Sequence, residues 1–401
     1  MAGPLHGVRV VDFTAMLSGP MAAAILADQG AEVIKVESPA GDEVRRMGRQ
    51  RDGLTAGFFA VNRGKRSLCL DLKRPEGLEA ARALIASADV VMQNFRPGAM
   101  ERLGLGAAVV LERHPRLVYL SISGFGEKGP YAHQRVYDPV IQALSGATDI
   151  QADRVTGRPR MFRVVVADKV TALTAAQAVT AGLFARETTG AGQHIRLAML
   201  DAMISFFWPE GMGGLVFAGD EVDVTKYQGT MDLVYETANG FITAGAVTDK
   251  EWRGMCNALN RPEWIEDPRF KTTRERFRNV GERKRLTARE LMKWDREEIL
   301  ARLNAEQVPS APLLTRMELL DHEQILANDI VGIYEFDDHG RIRLARPAAR
   351  FDATPAGIRA PAPRLGEHSE AILEELGYPV STIRELVDRG AVVTYRNADA
   401  G

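Results

Sequence analysis

Between residues 8 and 123 the chain alternates short, β-branched apolar runs with Ala- and Leu-rich stretches of helical period. VRVVDF (8–13) reads as a strand, MAAAILADQG (21–30) as a helix closed by Gly30, and AEVIKVE (31–37) as the next strand. SLCLDL (67–72), DVVMQN (89–94) and RLVYLSIS (116–123) read as three more. Pro75 opens the helix EGLEAARALIASA, a position where its missing N–H would be unpaired anyway. Near-continuous apolar strands separated by helices indicate a parallel sheet covered on both faces.

The pattern changes near residue 225. Strand-like GFITAGAV is followed by charged helical segments, KRLTARELMKWDREEILARLN among them. From about 331 the chain returns to strand-like IRLA, a Pro-rich connector and two terminal helices. The 401 residues exceed what one compact core usually serves, so two domains are expected. We assign residues 1–224 and 331–401 to a large α/β domain and 225–330 to a smaller α+β domain. No internal repeat or low-complexity segment interrupts them.

Charge narrows the function classes. With 51 Lys and Arg against 53 Asp and Glu, the net charge of −2 gives no global attraction to nucleic acid or an anionic membrane. An anionic ligand must therefore be held by a local cationic cluster. The two cysteines, Cys69 and Cys256, have no C-x-x-C spacing, which argues against a disulfide framework or a zinc knuckle. The histidines share no spacing with cysteines or acids, and no metal is expected. No stretch approaches about 18 uninterrupted apolar residues, and MAGPLHGVRVVDF lacks a leader-like pattern, so a cytoplasmic enzyme is expected.

SGFGEKGPYAHQRVYDP (123–139) carries Gly124, Gly126 and Gly129 in the spacing G-x-G-x-x-G after an apolar run. A dinucleotide-binding loop needs those glycines between the first strand and first helix, so that a helix N-terminus faces the pyrophosphate. Here Pro130 and YAHQRVYDP follow, which is no helix start. The first strand-to-helix turn, TAMLSGP, holds only Gly19. The loop belongs to other chemistry.

Six blocks in order carry a resemblance: GVRVVDFTAMLSGPMAAAILADQGAEVIKVESPAGD, NRGKRSLCLDLKRPEG, QNFRPGAMERLGLG, SISGFGEKGPYAHQRVYDP, GQHIRLAMLDA and PAPRLGEHSEAIL. Together they resemble the family III CoA-transferases, the superfamily of formyl-CoA transferase and α-methylacyl-CoA racemase. The resemblance implies a Rossmann-like large domain, an interlocked homodimer, and coenzyme A as part of an acyl-CoA substrate, with a small carboxylic acid as partner. Asp168, in MFRVVVADKVTALTAAQAV, matches the family's catalytic aspartate. Read alone, an Asp between an apolar run and an Ala-rich helix is an N-cap. The two roles are compatible, because a helix N-terminus favours the ionised carboxylate. The resemblance implies that Asp168 attacks the acyl-CoA, covalent catalysis dividing one difficult exchange into easier steps.

Backbone N–H groups near Leu17 to Gly19 and in the loop Gly124-Phe125-Gly126 are candidate oxyanion donors. By motif position Lys73, Asn94, Arg96 and Arg102 match CoA contacts, with Arg135 and Tyr137 beside the pantetheine path. Leu70 and Phe95 would enclose the adenine, and Met199 would lie near the thioester. Lys65 and Arg66 match as well, serving either CoA or structure. Racemases of the superfamily read His-Asp where this chain has Tyr137-Asp138. Tyrosine, with a reference pKa of about 10, is a poor base at neutral pH, so Tyr137 favours transfer. The alternatives are an acyl-CoA racemase or epimerase acting at the α-carbon, and a CoA-binding protein without turnover. Leu17 replaces a glutamine of the best-known transferases, and Glu236 in YETANG is either a supporting carboxylate or a strand-end polar residue.

Overall fold

A computed structural model of the chain describes residues 2–51, 53–153, 156–222 and 233–395. Two compact units result: Met1–Pro209 with Asp329–Gly401, and Glu210–Asn328. The junction expected at 224/225 lies outside the described residues.

The large unit is built on seven strands. In chain order these are β1 (Arg9–Asp12), β2 (Glu32–Glu37), β3 (Lys65–Leu70), β4 (Val90–Gln93), β5 (Val118–Ser123), β6 (Gln193–Ala198) and, after the small unit and a β10–β11 hairpin (Val331–Phe336 and Gly340–Ala345), the short β12 (Val392–Val393). Their spatial order is β12-β3-β2-β1-β4-β5-β6. All pair in parallel except β12, which runs antiparallel along β3. Successive connections therefore leave β1 and β4, the two central neighbours, toward opposite edges of the sheet. That reversal of strand order creates a crevice at the carboxyl ends of those strands.

Each face is covered as the apolar strands require. Val11, Ile34, Val36, Leu68 and Val91 pack against helix α2 (Pro75–Ala86) and against the terminal helices α10 (Ser369–Glu375) and α11 (Val380–Asp388). The tail thus completes the core begun by the first hundred residues. Ser369 accepts from the Cys69 N–H at 3.1 Å and donates to the Val393 carbonyl at 2.8 Å, fastening β12 beside β3. Helices α1 (Ser18–Asp28) and α4 (Val166–Thr189) pack against each other and run the same way. Each starts at the carboxyl edge of the sheet and descends to the start of the next parallel strand.

The small unit has an antiparallel sheet of β7 (Val234–Thr237), β8 (Gly240–Ala244) and β9 (Ser310–Pro312), packed on α6 (Asp249–Ala258), α7 (Thr273–Arg278), α8 (Val280–Leu291) and α9 (Arg296–Ala305). The continuous helical pattern read at KRLTARELMKWDREEILARLN is two helices. Asp295 breaks it, because its carboxylate accepts from the Glu297 and Glu298 N–H groups and caps α9.

Beneath the carboxyl edge lies a buried ionic network. The side chains of Asp12, Lys35 and Lys65 are fully inaccessible, and Glu37, Asp42 and Arg45 are nearly so. The Lys65 ammonium is fully used, donating to Asp12, Asn62 and the Pro20 carbonyl at 2.8 Å each. Lys35 donates to Asp42 at 3.1 Å and to the Thr14 carbonyl at 2.8 Å. Arg45 closes a two-pronged pair on Glu37 at 2.6 and 2.8 Å. Burial alone would raise the Asp12 carboxyl, yet Lys65 and Lys35 hold it below its usual range. Burial pushes the Lys65 ammonium down to about 8, against the pull of Asp12. Removing one member leaves an unpaired buried charge. Lys65→Met is expected to cost about 3–5 kcal/mol in urea unfolding; a loss below about 1 kcal/mol would mean that the network does not support the fold.

Candidate active site

The site is assembled where the loops after β1, β4 and β5 meet at the carboxyl edge. Residues 13–17 are held from several sides. Asp12 accepts from both the N–H and hydroxyl of Thr14. The Asn94 amide clasps Ala15, accepting from its N–H at 2.9 Å and donating to its carbonyl at 2.8 Å. Asp42 accepts from the Met16 N–H at 3.2 Å. Met16 is held at φ +71°, a left-handed conformation that a non-glycine residue adopts at a cost. Helix α1 then starts at Ser18, three residues earlier than the sequence pattern suggests. Gly19 lies against Thr14 so closely that a Cβ would sit 2.4 Å from the threonine Cβ.

This turn delivers Ser18 to Asp168. Ser18 lies beside the Asp168 carboxylate, and its hydroxyl and backbone N–H both favour the ionised form. Asp168 is the third residue of α4, so the N-cap expectation needs correction. The cap position is Val165, without a side-chain cap bond. The orphan Asp168 N–H is instead met by Asp138, whose Oδ2 accepts it at 3.0 Å. Asp138 is the first residue of α3 (Asp138–Leu144) and is itself held by Gln142 at 2.5 Å. Gln142 also accepts from the Phe162 N–H at 2.9 Å, so one side chain ties α3 to the approach to α4.

Asp168 is thus half-buried, beside a second carboxylate, and at the N-terminal ends of two helices. Burial raises its pKa, Asp138 raises it further, and the Ser18 bonds oppose both; the balance stands at about 6. At pH 7 the group is ionised and poorly solvated, a state suited to a nucleophile.

The glycine loop reaches the same place. Gly124 packs on Val136, where a Cβ would come within 2.5 Å of a valine methyl, so the loop lies flat against residues 136–138. Its carbonyl accepts from the Leu200 N–H at 3.1 Å. Gly126 adopts φ +87°, and its N–H is already bonded to Ser123 Oγ at 3.2 Å. Of the expected oxyanion donors in this loop, the Gly126 N–H is therefore occupied, leaving Gly124 and Phe125. Tyr137 is 62 % exposed and directly precedes Asp138. His133 is exposed in the preceding turn. The Asp168–Asp138 bond and the contact of Gly124 with Val136 thus bring the glycine loop to the segment that enters α3 and α3 to the start of α4.

The expected CoA contacts divide into two groups. Lys73, Arg96, Arg102 and Arg135 are exposed, and none is in an ion pair among the described residues. Lys73 follows β3, Arg96 and Arg102 follow β4, and Arg135 follows β5, all beyond the carboxyl ends of their strands. Arg102 lies over Gly98, whose φ of +82° permits that turn. Phe95 is half-buried, with its N–H held by Gln93 at 2.8 Å. The remaining residues are committed elsewhere. Leu70 is fully buried in the core between the sheet and α10, so its side chain does not wall a ligand, a correction that follows from its inward place on β3. Asn94 is occupied by Ala15. Met199, 7 % exposed, opens helix α5 (Met199–Phe207). Lys65 belongs to the buried network, and Arg66 pairs with Glu32 and Glu375 on the surface. Glu236 is exposed on β7 of the small unit.

Sequence reading placed the Ser18 N–H among the candidate donors but missed the Ser18 hydroxyl, Gln142 and Asp42. Gln142 left a trace, standing one turn after Asp138 in DPVIQ; the Ser18 hydroxyl and Asp42 had none, since their partners are 150 and 26 residues away.

The chain matches the profile of CoA-transferase family III over residues 5–369. It belongs to that family. This CoA-transferase is 34% identical over 388 residues to a succinate–glutarate CoA-transferase of Agrobacterium fabrum, covering 93% of this chain and 96% of that protein. It is 31% identical to the human succinyl-CoA:glutarate CoA-transferase, covering 97% of this chain and 90% of that one. The crystal structure of a CAIB/BAIF family protein from Brucella suis superposes with a TM-score of 0.81 at 32% identity, covering 94% of this chain and all of that one. The enzyme acts on CoA thioesters and carboxylates. Among the described residues no helix is long and apolar enough to cross a membrane, and no group of three or more His, Cys, Asp or Glu could hold a metal ion.

The raised Asp168 pKa makes a stability prediction. A carboxyl lifted from 3.8 to about 6 on folding leaves stability intact below pH 4 and removes it as pH rises through about 6. Asp168→Asn should therefore stabilise the protein by roughly 2–3 kcal/mol at pH 7.5, with little gain near pH 4. Urea unfolding of both proteins at the two pH values checks it; an equal effect at both would exclude the buried charge as the cause.

Proposed function

We propose that the enzyme moves CoA from an acyl-CoA donor to a carboxylic acid through covalent intermediates on Asp168. The observation that supports this most directly is a half-buried carboxylate, ionised at neutral pH, held beside Asp138 at the start of α4 and beside Ser18 at the start of α1. An Asp168 oxygen attacks the thioester carbonyl, and the tetrahedral oxyanion collapses with expulsion of CoA thiolate, leaving an acyl-aspartyl anhydride. The thiolate attacks the Asp168 carbonyl carbon and releases the donor acid as its carboxylate, giving an aspartyl-CoA thioester. The acceptor carboxylate then attacks that carbon and releases the thiolate. Thiolate attack on the acceptor's acyl carbon forms the product thioester and restores Asp168. No water, proton or electron is consumed overall.

Ser18 is the chief stabilising group in this scheme. Oxyanion charge develops on Asp168 itself in the second and third steps, where the Ser18 donors already point. Charge on the substrate acyl oxygen in the first and last steps falls to the Gly124 and Phe125 N–H groups. The four unpaired cations Lys73, Arg96, Arg102 and Arg135 supply the local positive charge that phosphates of CoA require on a chain of balanced charge. The names of the relatives favour short dicarboxylates, with succinyl-CoA and glutarate the first pair to test. The racemase reading has less support, because Tyr137 stands in place of the histidine and is exposed.

Intact-protein mass spectrometry with a panel of acyl-CoAs tests the covalent route. An adduct is expected on the wild type and not on Asp168→Ala, and hydroxylamine should convert it to a hydroxamate on Asp168. Exchange of the substrate α-proton in deuterated buffer without any adduct would overturn the transferase route in favour of epimerisation. The kcat/KM profile should lose activity below an apparent pKa of about 6, as Asp168 takes up a proton.

The protein also acts as a homodimer in this reading, interlocked as the family resemblance implies. Leu173 and Phe184, 58 % and 73 % exposed, are eleven residues apart and so share one face of α4, with Phe206 (58 %) exposed on α5. Light scattering is expected to give twice the chain mass, and Leu173→Glu with Phe184→Glu should shift the population toward monomer. A wild-type monomer would refute the assembly.

A further inference from the structure

The small unit contains a cavity of about 150 Å³ that the transfer chemistry leaves unused. Its walls are mostly apolar, with Leu233, Met255 and Phe277 among them, yet Arg276 and Arg283 both line it. Their charges are not equally balanced. Arg276, 1 % exposed, is paired with Asp249 and donates to the Phe270 carbonyl at 3.0 Å and Thr273 at 2.9 Å. Its Nε finds no partner among the described residues. Arg283 has one long bond, 3.4 Å to the Ala246 carbonyl, and no carboxylate within ion-pair distance among the described residues. Burial holds this guanidinium below its ordinary range, Tyr235 opposes, and Arg276 reinforces the shift.

A half-buried guanidinium with neither full hydration nor a counter-charge is costly unless an anion meets it. The space is smaller than the roughly 300 Å³ at which drug-sized ligand pockets begin, which limits the anion to a few heavy atoms. The mostly apolar lining selects against a fully hydrated ion such as phosphate. We propose that this cavity binds a short aliphatic carboxylate, its head group on Arg283 and its tail against Leu233, Met255 and Phe277. Such a site would let small acids act on the enzyme through residues other than Asp168, and it does not depend on the covalent route.

Hydrogen–deuterium exchange of the full chain, with propionate and butyrate as probes and inorganic phosphate as control, tests this. Either carboxylate should slow exchange saturably in peptides spanning 244–255 and 273–287. Arg283→Met should weaken that effect by about tenfold or more. Ala246→Leu keeps both arginines but fills the space, and it should abolish protection. Should Arg283→Met fail to fold, the Ala246→Leu arm decides alone. Absence of protection by both carboxylates, or protection undiminished in Ala246→Leu, overturns the site. Equal protection by phosphate overturns the assignment to carboxylates.

Discussion

The carboxyl edge of the large unit depends on the buried ion network beneath it. Lys65 and Lys35 carry full charges out of water, and each is tolerable only because carboxylates and carbonyls saturate it. Those same acceptors are the loop: Thr14 and Pro20 contribute carbonyls, and Asp12 and Asp42 hold the N–H groups of Thr14 and Met16. The loop therefore cannot move without unpairing a buried charge. A buried network of this kind is weak as a source of net stability but strong in fixing one conformation, and that is the property the Ser18 turn uses.

Two opposing influences meet at Asp168. Helix N-termini and the Ser18 donors favour the carboxylate, whereas burial and the adjacent Asp138 disfavour it. Had the first pair acted alone, the group would be a stable, weakly basic anion. Had the second acted alone, its pKa would stand higher still. A value of about 6 keeps it charged but less satisfied than in water. Asp138 links the two sides of this balance, since the carboxylate that raises Asp168 also accepts its N–H and holds α4 in place. The site is thus destabilised by design of its surroundings, with the rigid edge beneath it carrying the strain.

The glycine spacing at 124–129 illustrates how one pattern serves different chemistry. Gly124 is needed for flat contact with Val136, and Gly126 for its left-handed turn. Neither opens a helix toward a phosphate. The loop's contribution is backbone laid close to the reacting edge, which a side chain would block.

Most of the sheet could be read from the chain, because an apolar strand of four to six residues and an Ala-rich amphipathic helix are local properties. The start of α2 at Pro75, the left-handed Gly30 after α1 and the exclusion of a dinucleotide loop were all set by neighbouring residues. Asp168, Tyr137 and the glycine loop were singled out through motif resemblance, as were the cations Lys73, Arg96, Arg102 and Arg135, which are exposed. What no local pattern could supply was commitment by partners distant in sequence. Leu70 turned inward to the core, Asn94 was claimed by Ala15 79 residues away, and Lys65 became a counter-ion of Asp12 instead of a ligand group. Asp168 itself changed from a helix cap to a capped residue, because Asp138 approached from another helix. The sequence alone determined the elements and the kinds of side chain at the edge. Which of them are free to do chemistry was decided only by tertiary structure, since pairing, burial and charge depend on what the fold places alongside.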